Sequence, residues 1–323
     1  MKIRLLSLCL VVVISICACS TTKESNTNDV QKITTVKDKS SEKNVAEGEV
    51  SIDNSNFPDD DFRAYVEERF DADKDSVLSK EEIDNVTDIC IYGENHPELT
   101  SLSGIEYFQN LTKLNCMGLN ISELDITQNK KLEILECQET NIDYLDTSQN
   151  IDLENLRCYS TNIRSLNLSK NIKLKWLECY STKISKLDLA NNLDLETLYC
   201  GDTLITTIDT SNLKKLCRLS CGETDIEEID ISNNYDLVEF RISDTKVDTV
   251  DISNNPKLMA LGLNGCENIK SLDHSNNSKL QEVNIIGTGI KSIDLSDCPD
   301  MINLGCNEDT EVIGVEERII HRK

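Results

Sequence analysis

The 323-residue chain is poor in histidine, tryptophan and proline: three His (His96, His274 and His321), one Trp and four Pro. So few and so scattered imidazoles leave little material for a His-centred catalytic or metal site. Positive charge is scarce too, with 33 Lys and Arg against 58 Asp and Glu, a formal charge of −25. Nucleic-acid binding draws its affinity from Lys and Arg along phosphate backbones, so this balance argues against such a partner. Past residue 16 no apolar run is long enough to span a bilayer as a helix. A nucleophile elbow, a His-Glu-x-x-His pair and a Gly-rich phosphate loop are all missing, so the chain does not read as an enzyme. Paired carboxylates could serve a glycosidase, but among 58 acids they single out nothing.

What is present begins with an export address. Lys2 and Arg4 precede an apolar run, Leu5 to Ile16, which matches a secretory signal. The run ends in Ile16-Cys17-Ala18-Cys19, followed by Ser20, and this tetrapeptide resembles the bacterial lipobox. The resemblance implies a signal peptide over residues 1–18, cleavage before Cys19 and lipidation of Cys19. An ordinary signal peptide cut near Ala18 is the other reading. Several acyl chains on one cysteine give the multiple anchors that stable membrane attachment needs. The chain is therefore expected to be exported, lipid-anchored to a bacterial cell envelope and exposed at the surface. Residues 19–50, rich in Ser, Thr, Lys, Asn and Glu, bury too little apolar area to offset ordering entropy and read as a flexible stalk.

Residues 51–88 read as a small helical module. Asn56-Phe57-Pro58-Asp59 opens a helix, with Pro in the first turn and acids near the positive end of the dipole. Phe62, Tyr65, Val66 and Phe70 then share one face. The next twelve residues, Asp71 to Glu82, place oxygen donors at loop positions 1, 3, 5, 9 and 12, a spacing that wraps them round a hard cation. The segment resembles a single EF-hand. The resemblance implies Ca²⁺ held by Asp71, Asp73, Asp75, Ser79 and Glu82 through side chains and by Val77 through its carbonyl. Position 6, normally Gly because the turn needs positive φ, is Ser76, a departure that weakens the expected binding. A cap that keeps the acidic loop without metal is the alternative. No second hand follows, so a bound ion would clamp rather than sense.

From residue 89 to 309 one period governs the chain. Leu111, Leu132, Leu153, Leu174, Leu195, Leu216, Leu237 and Leu258 stand 21 residues apart; Leu280 follows 22 later, after an insertion near Gly265-Cys266, and Met301 closes the series. The frame Leu132-x-x-Leu135-x-Cys137-x-x-Thr140-x-Ile142-x-x-Leu145-Asp146-x-Ser148-x-Asn150 resembles the leucine-rich repeat, with Cys in the third apolar slot and Thr in the usual Asn slot. Leu99 to Phe108 looks like a degenerate first repeat of the internalin-like bacterial type. Lipobox, stalk, EF-hand-like cap and Cys-bearing repeats together resemble bacterial surface lipoproteins of that group. The implied fold is a β-rich α/β leucine-rich-repeat solenoid, a right-handed superhelix with a parallel concave sheet and a short helical N-terminal cap. Stacked at ~4.8 Å, ten units make a ladder of roughly 48 Å.

Three columns run along this frame. Cys116, Cys137, Cys158, Cys179, Cys200, Cys221 and Cys306 occupy the slot that Ile242, Leu263 and Ile285 fill elsewhere, so they read as small core hydrophobes with free thiols. So many thiols in an exported chain suit a reducing habitat. Cys90, Cys217, Cys266 and Cys298 lie off this column, where any bridge or reactive thiol is expected. Asp125, Asp146, Asp188, Asp209, Asp230, Asp251, Asp273 and Asp294 mostly precede Ser or Thr by two and read as Asx turns, with a Ca²⁺ ladder as the sharper alternative. Thr140, Thr161, Thr182, Thr203, Thr224 and Thr245 are expected to bond backbone groups of the adjacent coil.

Function would be written on the concave face. Trp176 falls there; Tyr159 and Tyr180 share one column, and Tyr199 joins Arg157 and Glu178 in the next. Aromatics and Arg concentrate at recognition hot spots, so these residues read as the centre of a protein-binding surface, extended with positive charge by Arg218 and Arg241. A glycan that uses the rings as platforms, or a passive surface spacer with no dedicated ligand, are the competing readings. The protein partner stays unnamed, and the chain is expected to be a monomer. In the tail, residues 310–323, Thr310 to Ile313 reads as a closing strand over the last open coil, and the basic end from Arg318 to Lys323 as frayed.

Overall fold

The computed structural model describes residues 48–323; the signal segment, Cys19 and nearly all of the stalk lie outside the described residues. The first elements are a two-residue strand β1 (Val50–Ser51), helix α1 (Asp60–Phe70), strand β2 (Val77–Leu78) and helix α2 (Lys80–Asn85). Asp59 caps α1 by accepting the N–H groups of Asp61 and Phe62, while Ser79 and Glu82 form a reciprocal capping box on α2. β2 belongs to the acidic loop, and with no second hand to pair with it takes β1 instead, Val50 opposite Leu78 and Ser51 opposite Val77. β1 includes Val50, the last residue of the segment read from sequence as stalk.

Next come strands of three residues each: β3 (Asp88–Cys90), β4 (Lys113–Asn115), β5 (Ile134–Glu136), β6 (Asn155–Arg157), β7 (Trp176–Glu178), β8 (Thr197–Tyr199), β9 (Arg218–Ser220), β10 (Glu239–Arg241), β11 (Ala260–Gly262) and β12 (Glu282–Asn284). β13 (Ser292–Asp294), β14 (Asn303–Cys306), β15 (Glu311–Ile313) and β16 (Ile320–Arg322) finish the chain. Twelve strands, β3 to β12 with β14 and β16, form one parallel sheet in chain order. The pairing keeps the repeat in register, Leu114 beside Leu135, Leu156, Leu177, Leu198 and Leu219, each 21 residues on. Alternation turns the middle residue of each strand and the following Cys, Ile or Leu inward, and leaves the two flanking side chains on the outer face. The fold is a parallel-sheet leucine-rich-repeat solenoid.

All seven column cysteines are buried, and all eleven cysteines among the described residues are free thiols. Burial pushes the Cys116, Cys179 and Cys221 thiols up to about 12. Two of the four off-column cysteines are buried as well. Cys266 stands in the Thr column and bonds the Ile242 carbonyl, and Cys298 stands in the Asn column, 3.7 Å from the Asn277 carbonyl.

Behind each strand the chain reverses through a left-handed residue: Glu139, Ser160, Ser181, Asp202, Glu223 and Asp244 have φ between 47° and 60°. Gly118, Gly265 and Gly287 take the same position in other coils. At Gly265 a Cβ would sit 2.0 Å from Asp244 Oδ1, so a larger residue there would have to push that carboxylate aside. This reversal corrects the expectation for the threonines. Thr140 Oγ1 donates to the Cys137 carbonyl at 2.8 Å, and Thr161, Thr182, Thr203, Thr224 and Thr245 repeat the bond three residues back in their own coil. The turn folds the hydroxyl onto its own strand before it can reach a neighbour.

Coil-to-coil bonding falls to asparagines. Asn150 Nδ2 donates to the carbonyls of Ile126 and Asn129 in the preceding coil, and Asn171, Asn192, Asn234, Asn255 and Asn277 do likewise. The Asp column forms the Asx turns, for example Asp146 Oδ1 accepting the Ser148 N–H at 2.9 Å. Beside it Lys131, Asp152, Lys173, Asp194, Lys215, Asp236 and Lys257 alternate in sign from coil to coil. Lys173–Asp152, Lys215–Asp194 and Lys257–Asp236 close at 2.6 Å as solvent-screened surface pairs.

The two ends are covered differently. At the N-terminus Phe57 packs against Phe62, Tyr107 and Phe108, and Phe70 against Phe108, so four of the chain's five Phe join cap to repeats. At the C-terminus β15 pairs with β13 in a separate two-stranded ladder, and the strand that covers the main sheet is β16, from the segment expected to fray. Arg322 fastens it by donating to the Thr310 carbonyl at 2.8 Å, and the Lys323 N–H bonds the Cys306 carbonyl. No helix among the described residues is long and apolar enough to cross a membrane.

Candidate functional site

Two places gather polar and aromatic groups beyond what the repeat requires. One is the loop between α1 and α2. Ser76 adopts φ 64°, so a side-chain-bearing residue takes up the glycine conformation. Asp71 accepts the N–H groups of Asp75 and Ser76, and Asp75 accepts that of Val77 at 2.8 Å. Glu82 reaches back across the loop: Oε1 accepts the Ala72 N–H at 2.7 Å, and Oε2 accepts both the N–H and hydroxyl of Ser79 at 2.8 Å. Asp71, Asp73 and Glu82 each bring a carboxylate oxygen within 4.8 Å of the others. Desolvation and the carboxylates of Asp75, Glu82 and Asp71 raise Asp73, whereas hydrogen bonds from Ser79 and Ala72 hold Glu82 below its usual range despite desolvation. This donor set fits a hard divalent cation, with Asp71, Asp73 and Glu82 as its centre. Asp75 lies outside that trio.

The other place is the outer face of the sheet at β5 to β8. Trp176, first in β7, points outward; its indole N–H donates to Glu178 Oε1 at 2.7 Å, and the Arg157 guanidinium lies 5.5 Å from its ring centroid. Arg157, third in β6, is held between Glu136 (3.0 Å) and Glu178 (3.8 Å), its register neighbours in β5 and β7. Glu136 in turn accepts the Asn115 amide at 2.5 Å. The run Asn115–Glu136–Arg157–Glu178 therefore threads four strands. Tyr159 and Tyr180, just past β6 and β7, stack with centroids 4.3 Å apart and planes 9° from parallel. Trp176 meets Tyr199 edge-on at 6.4 Å, and the Tyr199 hydroxyl donates to Glu239.

The structure thus brings Arg157, Tyr159, Trp176, Glu178, Tyr180 and Tyr199 onto one surface. Further along the same sheet, Arg241 is held by Glu239 at 2.6 Å and Glu282 at 3.6 Å, while the more exposed Arg218 comes only within 4.0 Å of Glu239. Desolvation, with Glu139, Glu178 and Glu239 nearby, raises the hydroxyls of Tyr159, Tyr180 and Tyr199. Sequence reasoning missed Glu136 and Glu239, although each stands one period from an arginine already singled out.

No protein-family model matches the sequence. Internalin J of Listeria monocytogenes serotype 4b (strain F2365) is 33% identical to this chain over 112 residues, which cover 32% of this chain and 12% of that protein. Among solved structures, a functional domain of internalin J that includes a cysteine ladder superposes with a TM-score of 0.54 at 24% identity, over 85% of this chain and 77% of that one. Internalin C2 of the same species gives 0.59 at 21% identity, over 67% of this chain and 97% of its own. A Leptospira interrogans leucine-rich-repeat protein gives 0.55 at 17%, over 67% and 64%. These likenesses agree with the solenoid described above.

Proposed function

We propose that this is a non-catalytic surface protein that recognises another protein through the outer, concave face of its sheet. The observation that carries the reading is the aromatic patch. In a chain with 4% aromatics, four rings, Tyr159, Trp176, Tyr180 and Tyr199, meet over three consecutive coils around one buried-edge arginine. Their side chains are oriented before any partner arrives: the indole by Glu178, Arg157 by two glutamates, the tyrosines by stacking. A surface so preorganised loses little rotamer freedom on binding. Lipidation at Cys19 would hold the molecule at the envelope as a monomer, and residues 19–50 would lift the repeats from it. The loop Asp71–Glu82 would take Ca²⁺ and stiffen the cap, since it leads directly from Phe70, whose ring packs on Phe108.

Affinity capture with the full chain, with and without calcium, tests the reading. A protein partner retained by the native chain and lost from a Trp176→Ala/Tyr180→Ala variant of unchanged melting temperature is the expected result. Retention of glycans alone, or equal capture by the variant, would replace it with a carbohydrate-binding or spacer role.

A further inference from the structure

The chemistry of the partner can be read from which charges on this face are already spoken for. The cations on this stretch of the face, β5 to β8, are committed: Arg157 to Glu136 and Glu178, and Lys175 to Glu154 at 2.7 Å. The carboxylates outnumber them. Residues 133–139, 154–160, 175–181 and 196–202 hold Glu133, Glu136, Glu139, Glu154, Glu178, Glu196 and Asp202 against Arg157 and Lys175 alone. Among the described residues, no cation forms an ion pair with Glu133, Glu139, Glu196 or Asp202. An anionic partner would meet surplus negative charge with no free cation to receive it.

The aromatic groups supply a seat for the opposite charge. Backbone pairing sets Tyr180 beside Tyr159 on one side, and on the other beside Gly201, with the Ser160 N–H bonded to the Tyr180 carbonyl and the Ser181 N–H to the Gly201 carbonyl. Gly201 has no side chain, so the stack of rings stops at Tyr180 and the next coil adds no ring to it. Gly222, one coil further, prolongs the gap. Glycine is enforced at 201 by packing as well, because a Cβ there would lie 2.7 Å from the Gly222 carbonyl oxygen. The chain already shows what suits such a ring: the Arg157 guanidinium over Trp176.

Resting on the reading of this face as a protein-recognition surface, we propose that its partner presents a basic segment, with one arginine guanidinium stacked on the outer face of Tyr180 in the slot beside Gly201 and neighbouring basic residues facing Glu139 and Asp202. The guanidinium continues the Tyr159–Tyr180 stack as a third planar layer. A planar delocalised cation suits that position better than an ammonium, which cannot stack.

Trp176 is the chain's only tryptophan and lies one strand from the slot, so its emission reports occupancy. The full chain is titrated with three probes of equal length: an Arg/Gly/Ser peptide of charge +4, the same peptide with Glu for Arg, and with Lys for Arg. Cellohexaose serves as a neutral glycan. The inference expects the Arg peptide to shift Trp176 emission, to bind more tightly than the Lys peptide, and to weaken steeply with salt. Tyr180→Leu, which leaves net charge untouched, should weaken the Arg peptide by about fivefold or more. Glu139→Gln, an isosteric change at an exposed turn position, should weaken it about two- to threefold. Equal binding by native and Tyr180→Leu chains, both of native circular dichroism, would reduce the effect to bulk attraction and overturn the inference. A shift produced only by the Glu peptide would overturn it while leaving protein recognition standing. A shift produced only by cellohexaose would overturn both, and no shift with any probe would overturn the inference alone, the capture experiment then deciding the broader reading.

Discussion

A buried asparagine amide has two donors and an acceptor to satisfy, and the coils here do so unequally. Each ladder Asn spends its amide hydrogens on two carbonyls of the previous coil. Its oxygen is served only where a threonine stands in that coil: Thr147 Oγ1 donates to Asn171 at 2.8 Å and Thr210 Oγ1 to Asn234 at 2.9 Å. Asn150 Oδ1, whose counterpart of Thr147 is Ile126, has no partner among the described residues. Thr147→Val should therefore cost about 1–3 kcal/mol in urea unfolding, the penalty for orphaning a buried acceptor. Ile126→Val, which trims a methyl and orphans nothing, should cost about 0.5–1.5 kcal/mol. Equal losses would mean that the hydroxyl contributes no more than its volume. Ser76 offers the complementary case of a side chain placed where glycine fits. The left-handed conformation costs a non-glycine residue about 1–2 kcal/mol. Ser76→Gly should relieve part of that, offset by the entropy of the unfolded chain, and should raise Ca²⁺ affinity measured by calorimetry. A loop that takes up no calcium in either form would remove metal from the account of the cap.

At the scale of the element, the strand and its two turns explain both reactivity and pH response. The Cys column sits inside the sheet with thiols raised by burial, so native chain should resist iodoacetamide at pH 8 while Cys90 and Cys217, partly exposed, label first. Rapid modification of Cys137 or Cys158 without unfolding would contradict the packing. The Asx turns set the acid side. Asp146, Asp209, Asp230 and Asp251 titrate below the usual carboxylate value because a serine N–H and hydroxyl two residues on bond the charged form. A carboxylate lowered by folding stabilises above its unfolded value, and that contribution is lost as pH falls through the folded one. Stability should thus decline on acidification from about pH 5 downward. Asp209→Asn/Asp230→Asn keeps the turn acceptor and removes the titration, so its acid limb should be shallower than the native one; superposable limbs would assign the loss elsewhere. These elements also show what the sequence could disclose. The Leu period and the exchange of Cys with Ile and Leu are written in every coil, because burial tolerates few alternatives. The threonine bonds were assigned to the wrong coil because a left-handed residue between Cys and Thr decides where the hydroxyl points, and φ leaves little trace in Glu, Ser or Asp. The ion pairs of Arg218 and Arg241 are only partly legible: Glu239 stands two residues before Arg241 in the same strand, but it lies one coil from Arg218, and Glu282 two coils from Arg241, neighbours only once the strands are in register.

Across the whole molecule, stability comes from each coil covering the next, and an array of this kind is only as sound as its ends. The N-terminal end is closed by a substantial module, with Phe57 buried against Tyr107 and Phe108 and Asp59 accepting hydrogen bonds from Thr100 and Ser101. The C-terminal end relies on three residues, Ile320 to Arg322, paired with β14, and on half-buried Ile319 and Ile320. That strand could not be foreseen from its residues, since a short basic segment carries no repeat signature and its order comes from the edge it covers. Deleting residues 316–323 would leave the N–H and C=O groups of β14 unpaired beside the apolar interior at Leu304 and Cys306. The loss of a few backbone bonds and two partly buried isoleucines should lower stability by about 2–4 kcal/mol. An open parallel edge also templates association. The shortened chain should therefore melt several degrees lower and sediment as a mixture of monomer and larger species at concentrations where the intact chain is uniform. If instead it stays monomeric with an unchanged melting temperature, β16 is an ornament on an array already closed by β13 and β15, and the two-stranded ladder behind the sheet becomes the true cap.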